Sequence, residues 1–111
     1  MKKQILAAAL AASMTAGLSG VSVYAADDTF TVGICQLVQH EALDTATQGF
    51  KDALTEAFGD KVTFDEQNAQ GDSNTCSTII NDFVSDDVDL ILANATAALQ
   101  AAAAGTADIP I

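Results

Sequence analysis

The sequence predicts an α/β fold, a parallel sheet in βαβαβαβ order with helices on both faces. Two observations support this prediction. Short apolar runs rich in β-branched residues alternate with segments whose apolar residues recur at helical spacing. The runs are also apolar at consecutive positions, as in strands that are buried on both faces. Right-handed crossovers then give a strand order of 2-1-3-4, with the first and second helices on opposite faces.

The first half of the pattern is a strand, a helix and a second strand. The first strand spans 30–38 and is almost continuously apolar. The helix that follows ends at Gly59, a residue typical of a helix C-terminus. Residues 61–64 alternate and predict a short strand. The apolar positions of the helix are Leu43, Ala46, Phe50, Ala53, Leu54 and Ala57.

The second half continues the alternation. Asp72 or Ser73 is the expected N-cap of the second helix. The third strand spans 88–93, an alanine-rich third helix runs from Asn94-Ala95-Thr96 to Gly105, and 109–111 predict the start of a fourth strand. The apolar stripe of the second helix is Cys76, Ile79, Ile80, Phe83 and Val84.

Residues 1–25 have the order of a secretory signal. A basic start at Lys2-Lys3 precedes an apolar run over 5–14, and Val23-Tyr24-Ala25 places small residues around a cleavage position. The run is too short to span a bilayer. Cleavage after Ala25 leaves 86 residues and changes the formal net charge from −11 to −13. We therefore expect an exported protein that is not inserted in the membrane after cleavage.

Charge and motifs exclude several functions. After cleavage the only cations are Lys51 and Lys61, too few to neutralise a nucleic-acid backbone or to bind an anionic membrane. The sequence has no nucleophile elbow, no phosphate-binding glycine loop and no two-histidine metal motif. We therefore expect neither enzymatic activity nor a bound cofactor or metal.

The loops after the predicted strands are the expected ligand-binding edge. Ligands of open parallel sheets bind outside the carboxyl ends of the strands, where the strand order reverses. These ends carry 36–44, 68–73 and 94–98, all of them polar. The order of the elements therefore predicts one shared binding edge.

Val32 to Asp44 resembles the opening of a family of ABC-transporter substrate-binding proteins, whose better-understood members bind tryptophan and related aromatic amino acids. Further similar segments follow in order at 48–54, 67–72, 90–101 and 108–111. The resemblance covers essentially all of the chain after the signal.

The resemblance implies a type-I periplasmic-binding-protein fold that encloses its ligand between two lobes. Residues 26–111 would form most of the N-terminal lobe, truncated at its fourth strand, as part of a longer protein. It also implies an amino-acid ligand and an ABC permease as partner. Many relatives carry a lipid-anchored cysteine that residues 1–25 lack, and many have Pro where this chain has Glu41 and Ala97.

The start of the third helix is the first candidate site, comprising Asn94, Ala95, Thr96 and Ala97. Free N–H groups at a helix N-terminus suit a ligand carboxylate, and Thr96 would add a hydroxyl. The alternative is that Asn94 or Thr96 simply caps its own helix.

The loop after the first strand is the second candidate, with Gln36, His40 and Asp44. An acidic group here would pair with a ligand ammonium. His40 either faces a ligand or is a solvated or capping residue.

Two further groups of residues have structural interpretations. Cys35 and Cys76 are expected as two buried free thiols, with a disulfide as the alternative. The acidic residues around the end of the second helix lack calcium-loop spacing and are expected to be solvated: Asp82, Asp86, Asp87 and Asp89.

The function predicted from the sequence is therefore the solute-binding component of an ABC importer. A ligand-sensing domain coupled to a signalling receptor is the alternative from a different class. An orphan flavodoxin-like domain is a third, which the export signal counts against.

Overall fold

The computed structural model describes residues 29–111, so the predicted signal sequence and its cleavage position lie outside the described residues. Strands and helices alternate through the described part. The elements are β1 (Phe30–Gln36), α1 (Glu41–Phe58), β2 (Val62–Asn68), α2 (Ser73–Ser85), β3 (Leu90–Asn94) and α3 (Thr96–Gly105), with a turn of 3₁₀-helix at Gly59–Lys61 between α1 and β2.

The strands form one parallel sheet in the order β2-β1-β3. This confirms the predicted α/β class and the position of the first strand between the second and third. Gln36 of β1 lies opposite Asn68 of β2 and opposite Asn94 of β3. The last residues of the three strands are therefore level with one another at the carboxyl edge.

The predicted fourth strand at 109–111 does not form, so the described sheet has three strands. The segment nevertheless lies beside β3, because Ile91 N–H donates to the Pro110 carbonyl at 2.9 Å. Pro110 has no N–H to return a second bond. A single bond brings the segment to the predicted edge but makes no ladder.

The strand boundaries also differ from the prediction. β2 was predicted over 61–64 but continues to Asn68, pairing with β1 along its whole length. Its second half is polar, which an edge strand tolerates because one side of its backbone and one face are open to water. β1 ends at Gln36, two residues earlier than predicted.

The face of the sheet under α2 and α3 holds the apolar core. Phe83 of α2 lies directly on Gly33, where a Cβ atom would come within 2.6 Å of the Phe83 ring. Glycine is therefore required for this close approach. The buried residues of this core are Cys35, Ala69, Cys76, Ile79, Ile80, Phe83, Val88, Ile91, Ala98 and Ala102.

Cys35 and Cys76 are both fully buried free thiols in this core, as expected. Burial raises the pKa of the Cys35 thiol to about 12, and the neighbouring Cys76 thiol adds to the effect. A thiol protonated to that extent is inert packing rather than a nucleophile.

The opposite face is covered by α1, and here the predicted apolar stripe is partly wrong. Ala46, Ala53 and Ala57 are exposed. The inward-facing positions are the half-buried Leu43, Phe50 and Leu54 together with Thr47, the one buried residue of the helix. A 4-3-4 spacing joins these four positions, so the helix presents a hydroxyl in the middle of its inner face.

Several smaller predictions hold. Asp72 caps α2, its Oδ1 accepting from Asn74 N–H at 2.8 Å, and Gly59 ends α1 with φ 57°. The acidic residues around the end of α2 are exposed, and Asp89 accepts a hydrogen bond from Thr31 N–H. Among residues 29–111, no helix has the length and apolarity needed to cross a membrane.

Candidate ligand-binding edge

The candidate site begins with a row of three amide side chains at the carboxyl edge: Asn68, Gln36 and Asn94, one from each strand. Parallel pairing places them side by side, because residues in register lie at the same level of the sheet. The central one, Gln36, is only 4% exposed. A buried amide needs partners for its oxygen and its nitrogen.

Gln36 finds those partners in the loop and helix that follow it. Its Nε2 donates to the Val38 carbonyl at 2.9 Å and to Asp44 Oδ1 at 2.6 Å. Its Oε1 accepts from the Thr47 hydroxyl at 2.7 Å. Gln36 and Asp44, both predicted site residues, are therefore in direct contact, and this bond holds the Asp44 carboxylate at the carboxyl edge of the sheet.

Asn94 joins the same network from β3. Its Nδ2 donates to the Leu43 carbonyl and to Thr47 Oγ1, both at 2.9 Å. The side chain is therefore bound to α1 rather than to its own helix. In the described residues no buried side-chain nitrogen or oxygen lacks a hydrogen-bond partner.

A cavity of about 380 Å³ opens above this network. Of its two acidic residues, Glu66 forms an ion pair with Lys51 at 2.8 Å, whereas Asp44 contacts the neutral Gln36. Asp44 therefore supplies the carboxylate available to a cationic group. The cavity is lined by Gln36, Gln39, Asp44, Thr47, Gln48, Glu66, Gln67 and Asn68.

At the start of α3 the structure does not show the capping by Asn94 or Thr96 that the sequence offered as an alternative to ligand contact. Neither Asn94 nor Thr96 caps the helix: in the part of the chain that the structure describes, the N-cap is Ala95, and there is no side-chain capping bond. Ala95 has φ 98° and ψ 160°, a region that only glycine adopts without strain. The first-turn N–H groups of Thr96 and Ala97 have no partner within the helix.

The structure does not gather all the predicted site residues around one cavity. Gln36 and Asp44 line the 380 Å³ cavity, and Asn94 is bound beneath it through Thr47. Ala95, Thr96 and Ala97 do not line it and lie beyond Asn94 on the β3 side of the edge.

His40 has the structural role that was the alternative to ligand contact. Its Nδ1 accepts from Ala42 N–H at 3.1 Å, and so it caps α1. The side chain is exposed and is not among the residues that line the cavity.

Thr47 and two β2 residues of the cavity, Glu66 and Gln67, were missed by sequence reasoning, whereas Asn68 was expected at the binding edge. A hydroxyl residue inside an amphipathic helix gives no motif, but its spacing from Leu43 and Phe50 placed it on the inner face. Glu66 and Gln67 were missed because β2 was predicted to end at Phe64. Within residues 29–111, no three His, Cys, Asp or Glu side chains are grouped so as to hold a metal ion.

A parallel sheet in the order 2-1-3, with polar side chains collected at its carboxyl edge, defines the class as an α/β domain of the ligand-binding type. The sequence model of the family described as "ABC transporter substrate binding protein" matches residues 31–111. The chain belongs to this family.

A "Tyrosine-binding protein" of Clostridioides difficile (strain R20291) is 48% identical over 83 residues, covering 72% of this chain and 24% of that protein. The ligand-free, open structure of a substrate-binding protein with adhesive properties from Clostridium difficile is 44% identical, with a TM-score of 0.71 over 74% of this chain and 29% of that one.

A second similar structure is the ABC domain from Streptococcus pneumoniae in complex with L-Trp. It is 33% identical to this chain, with a TM-score of 0.71 over 75% of this chain and 29% of that one. The chain thus spans about a quarter of the length of the curated relative that it matches.

Proposed function

We propose that the chain forms most of the sheet of the N-terminal lobe of an exported solute-binding protein, which captures an aromatic amino acid for an ABC permease. Residues 1–25 are its signal peptide and 26–111 its lobe. The protein works outside the cytoplasm, binds its ligand between two lobes and does no chemistry on it.

One observation carries the proposal: Gln36 Nε2 holds Asp44 Oδ1 at 2.6 Å beside the 380 Å³ cavity. This bond fixes a carboxylate at the edge where parallel sheets bind ligands. A fixed carboxylate suits the ammonium group that every free amino acid carries, because a charge-assisted hydrogen bond forms without first ordering the acceptor.

The ligand's own carboxylate would be held by the start of α3. The N–H groups of Thr96 and Ala97 point out of the helix at its positive end, and among residues 29–111 no N-cap side chain bonds to them. Ala95 leaves the backbone accessible, and the Thr96 hydroxyl would add a further bond. Asp44 and α3 would then hold the two charged ends of the ligand.

The relatives support an aromatic amino acid as ligand. One is a tyrosine-binding protein and another is a complex with L-Trp. The uncharged amides Gln39, Gln48 and Gln67 in the cavity wall would contact the polar part of such a ligand.

The test is isothermal titration of the purified full-length protein with L-tyrosine, L-tryptophan and L-phenylalanine. We expect at least one to bind, and Asp44→Asn to weaken that binding by about 10-fold or more, because a hydrogen bond to a charged group is lost. Asp60→Asn, a charge-matched variant in the 3₁₀ turn that follows α1, should bind like the wild type. Failure of the wild type to bind all three, or equal affinities for the two variants, would contradict the proposal.

Export has its own test. The intact mass of the protein recovered from the medium or the periplasm should correspond to a chain that begins at Ala26. A mass that retains Met1 would contradict the predicted cleavage.

A further inference from the structure

Four hydrogen-bonded side chains lie beneath the binding edge and connect the end of β3 to Asp44 of α1. We call them the polar relay: Asn94, Thr47, Gln36 and Asp44, connected by hydrogen bonds of 2.9, 2.7 and 2.6 Å. Thr47 stands in the middle and is 2% exposed. It lies in the wall of the cavity, between Gln36 and Asn94, and is the one member of the relay that belongs to the inner face of α1 and is buried.

Two backbone carbonyls fix the direction of every bond in the relay. A carbonyl only accepts, so the Leu43 carbonyl requires the amino group of the Asn94 amide, and the Val38 carbonyl requires that of Gln36. Each amide therefore has one orientation. The second hydrogen of each amino group then continues the relay.

The Thr47 hydroxyl completes this order. It accepts from Asn94 Nδ2, so its own proton goes to Gln36 Oε1. Gln36 in turn donates to Asp44 Oδ1. All the donors point the same way, from β3 towards Asp44, and the relay ends on an oxygen that can only be an acceptor.

We infer that Thr47 is a positioning residue for ligand selectivity: by holding the Gln36 amide in its donating orientation, it keeps Asp44 fixed as the acceptor of a ligand ammonium. This inference rests on the proposed function, since it assigns Asp44 to the ammonium. It goes further in naming a buried residue of the cavity wall, which acts on the ammonium only through Gln36 and Asp44, as the one on which the preference for an amino acid over its des-amino analogue depends.

Removing the hydroxyl should act through Gln36. In Thr47→Val the shape is kept, but Gln36 Oε1 and Asn94 Nδ2 each lose a buried partner. Gln36 is then free to leave the orientation that Asp44 requires. Thr47→Ser keeps the hydroxyl and loses only a methyl group, so it is the matched control.

The experiment compares two ligands that differ only in the ammonium group: L-tyrosine with 3-(4-hydroxyphenyl)propionate, or L-tryptophan with indole-3-propionate if tryptophan binds more tightly. The measured quantity is the ratio of the two dissociation constants for the full-length protein. We expect Thr47→Val to lower the preference for the amino acid by about 10-fold, through weaker binding of the amino acid alone. Thr47→Ser should keep the wild-type ratio to within about threefold.

The outcomes separate this inference from the proposed function. A folded Thr47→Val protein with the wild-type ratio overturns the inference and leaves the proposed function standing, as does equal weakening of both ligands, the result of a merely structural role. If the wild type binds only L-phenylalanine, the ratio is measured against 3-phenylpropionate, and a wild type that binds none of the three amino acids overturns both. Thr47→Ala is read in the same way if Thr47→Val does not fold: a lowered ratio supports the inference, and an unchanged ratio overturns it.

Discussion

The two faces of the sheet are built from the same three strands, and both bury apolar side chains, Val32 and Ile34 among them on the α1 side. Within residues 29–111, however, the buried polar side chains Gln36 and Thr47 belong to the α1 face. Under α2 and α3, Phe83, Ile80 and their neighbours fill a dry core in which buried apolar surface supplies the stability. Under α1, the one buried residue of the helix is a threonine, and the contact at the carboxyl end depends on hydrogen bonds among Gln36, Thr47 and Asn94.

β1 is the central strand of the sheet, and its side chains point alternately to the two faces. Gly33 and Cys35 face the dry core, whereas Gln36 faces the polar relay. Buried apolar side chains therefore stabilise both faces, but the α1 face also places hydrogen-bonded polar groups at the edge where a ligand would bind. Substitutions on the two faces should therefore have different consequences.

The largest expected effect is the loss of Phe83. Phe83→Ala removes a fully buried ring and should lower the free energy of unfolding by about 3–5 kcal/mol, since both transfer energy and a cavity contribute. Phe58 on the α1 face is 42% exposed and packs on Phe30 at a centroid distance of 5.2 Å.

Phe58→Ala is the matched control and should cost about 1 kcal/mol, the size of an aromatic pair. Urea denaturation of the full-length variants measures both values. Equal losses would contradict the contrast between the two faces.

The next effect comes from two glycines. Gly33→Ala places a Cβ atom 2.6 Å from the Phe83 ring and should cost about 1–3 kcal/mol through overpacking. Gly49→Ala, in the middle of α1, meets no atom within 4 Å and should stabilise the protein by about 0.5–1 kcal/mol. Opposite shifts in melting temperature are expected, and a stabilising Gly33→Ala would show that the dry face is loosely packed.

Alkaline pH should weaken the dry face through Cys35. The pKa of this thiol is about 12 in the fold against 9.0 for the free side chain, so the unfolded chain releases the proton first. Stability contributed by the protonated thiol is complete below pH 9 and is lost as pH rises towards 12.

Between pH 9 and 10.5 this loss should reach about 1–2 kcal/mol. Urea midpoints across that range measure it. In Cys35→Ala the free energy of unfolding should fall less steeply with pH, by the equivalent of about one proton released on unfolding. Equal slopes for the variant and the wild type would exclude Cys35 as the cause.

The smallest effect concerns the strained residue at the edge. Ala95→Gly should raise the free energy of unfolding by about 1 kcal/mol, because glycine adopts φ 98° without strain. Ala103→Gly, at an exposed interior position of α3, should lower it by a similar amount. If Ala95→Gly lowers the free energy of unfolding as much as Ala103→Gly does, the result contradicts backbone strain at Ala95.

The dry face was largely predictable from the sequence, whereas the polar face was not. Ile79, Ile80 and Phe83 were expected on the inner side of α2, because apolar burial repeats with the helical period. Thr47 was missed because only apolar residues were counted along α1: its spacing fits the inner face, but the hydrogen bonds that a buried hydroxyl makes there, to Gln36 and Asn94, leave no pattern in the sequence.

The candidate site divided in the same way. Strand order placed Gln36, Asp44 and Asn94 at one edge, which needs only the alternation of strands and helices. The cap on α1 by His40 and the uncapped start of α3 depend on backbone angles and on which partner each side chain finds. The sequence left those choices open, and the structure decided them.

The crystal structure of the full-length protein with its bound amino acid tests the central claim most directly. We expect the ligand ammonium within about 3 Å of the Asp44 carboxylate, and the ligand carboxylate at the N–H groups of Thr96 and Ala97. A ligand that contacts neither Asp44 nor the start of α3 would contradict the assignment of the carboxyl edge of the sheet as the binding site.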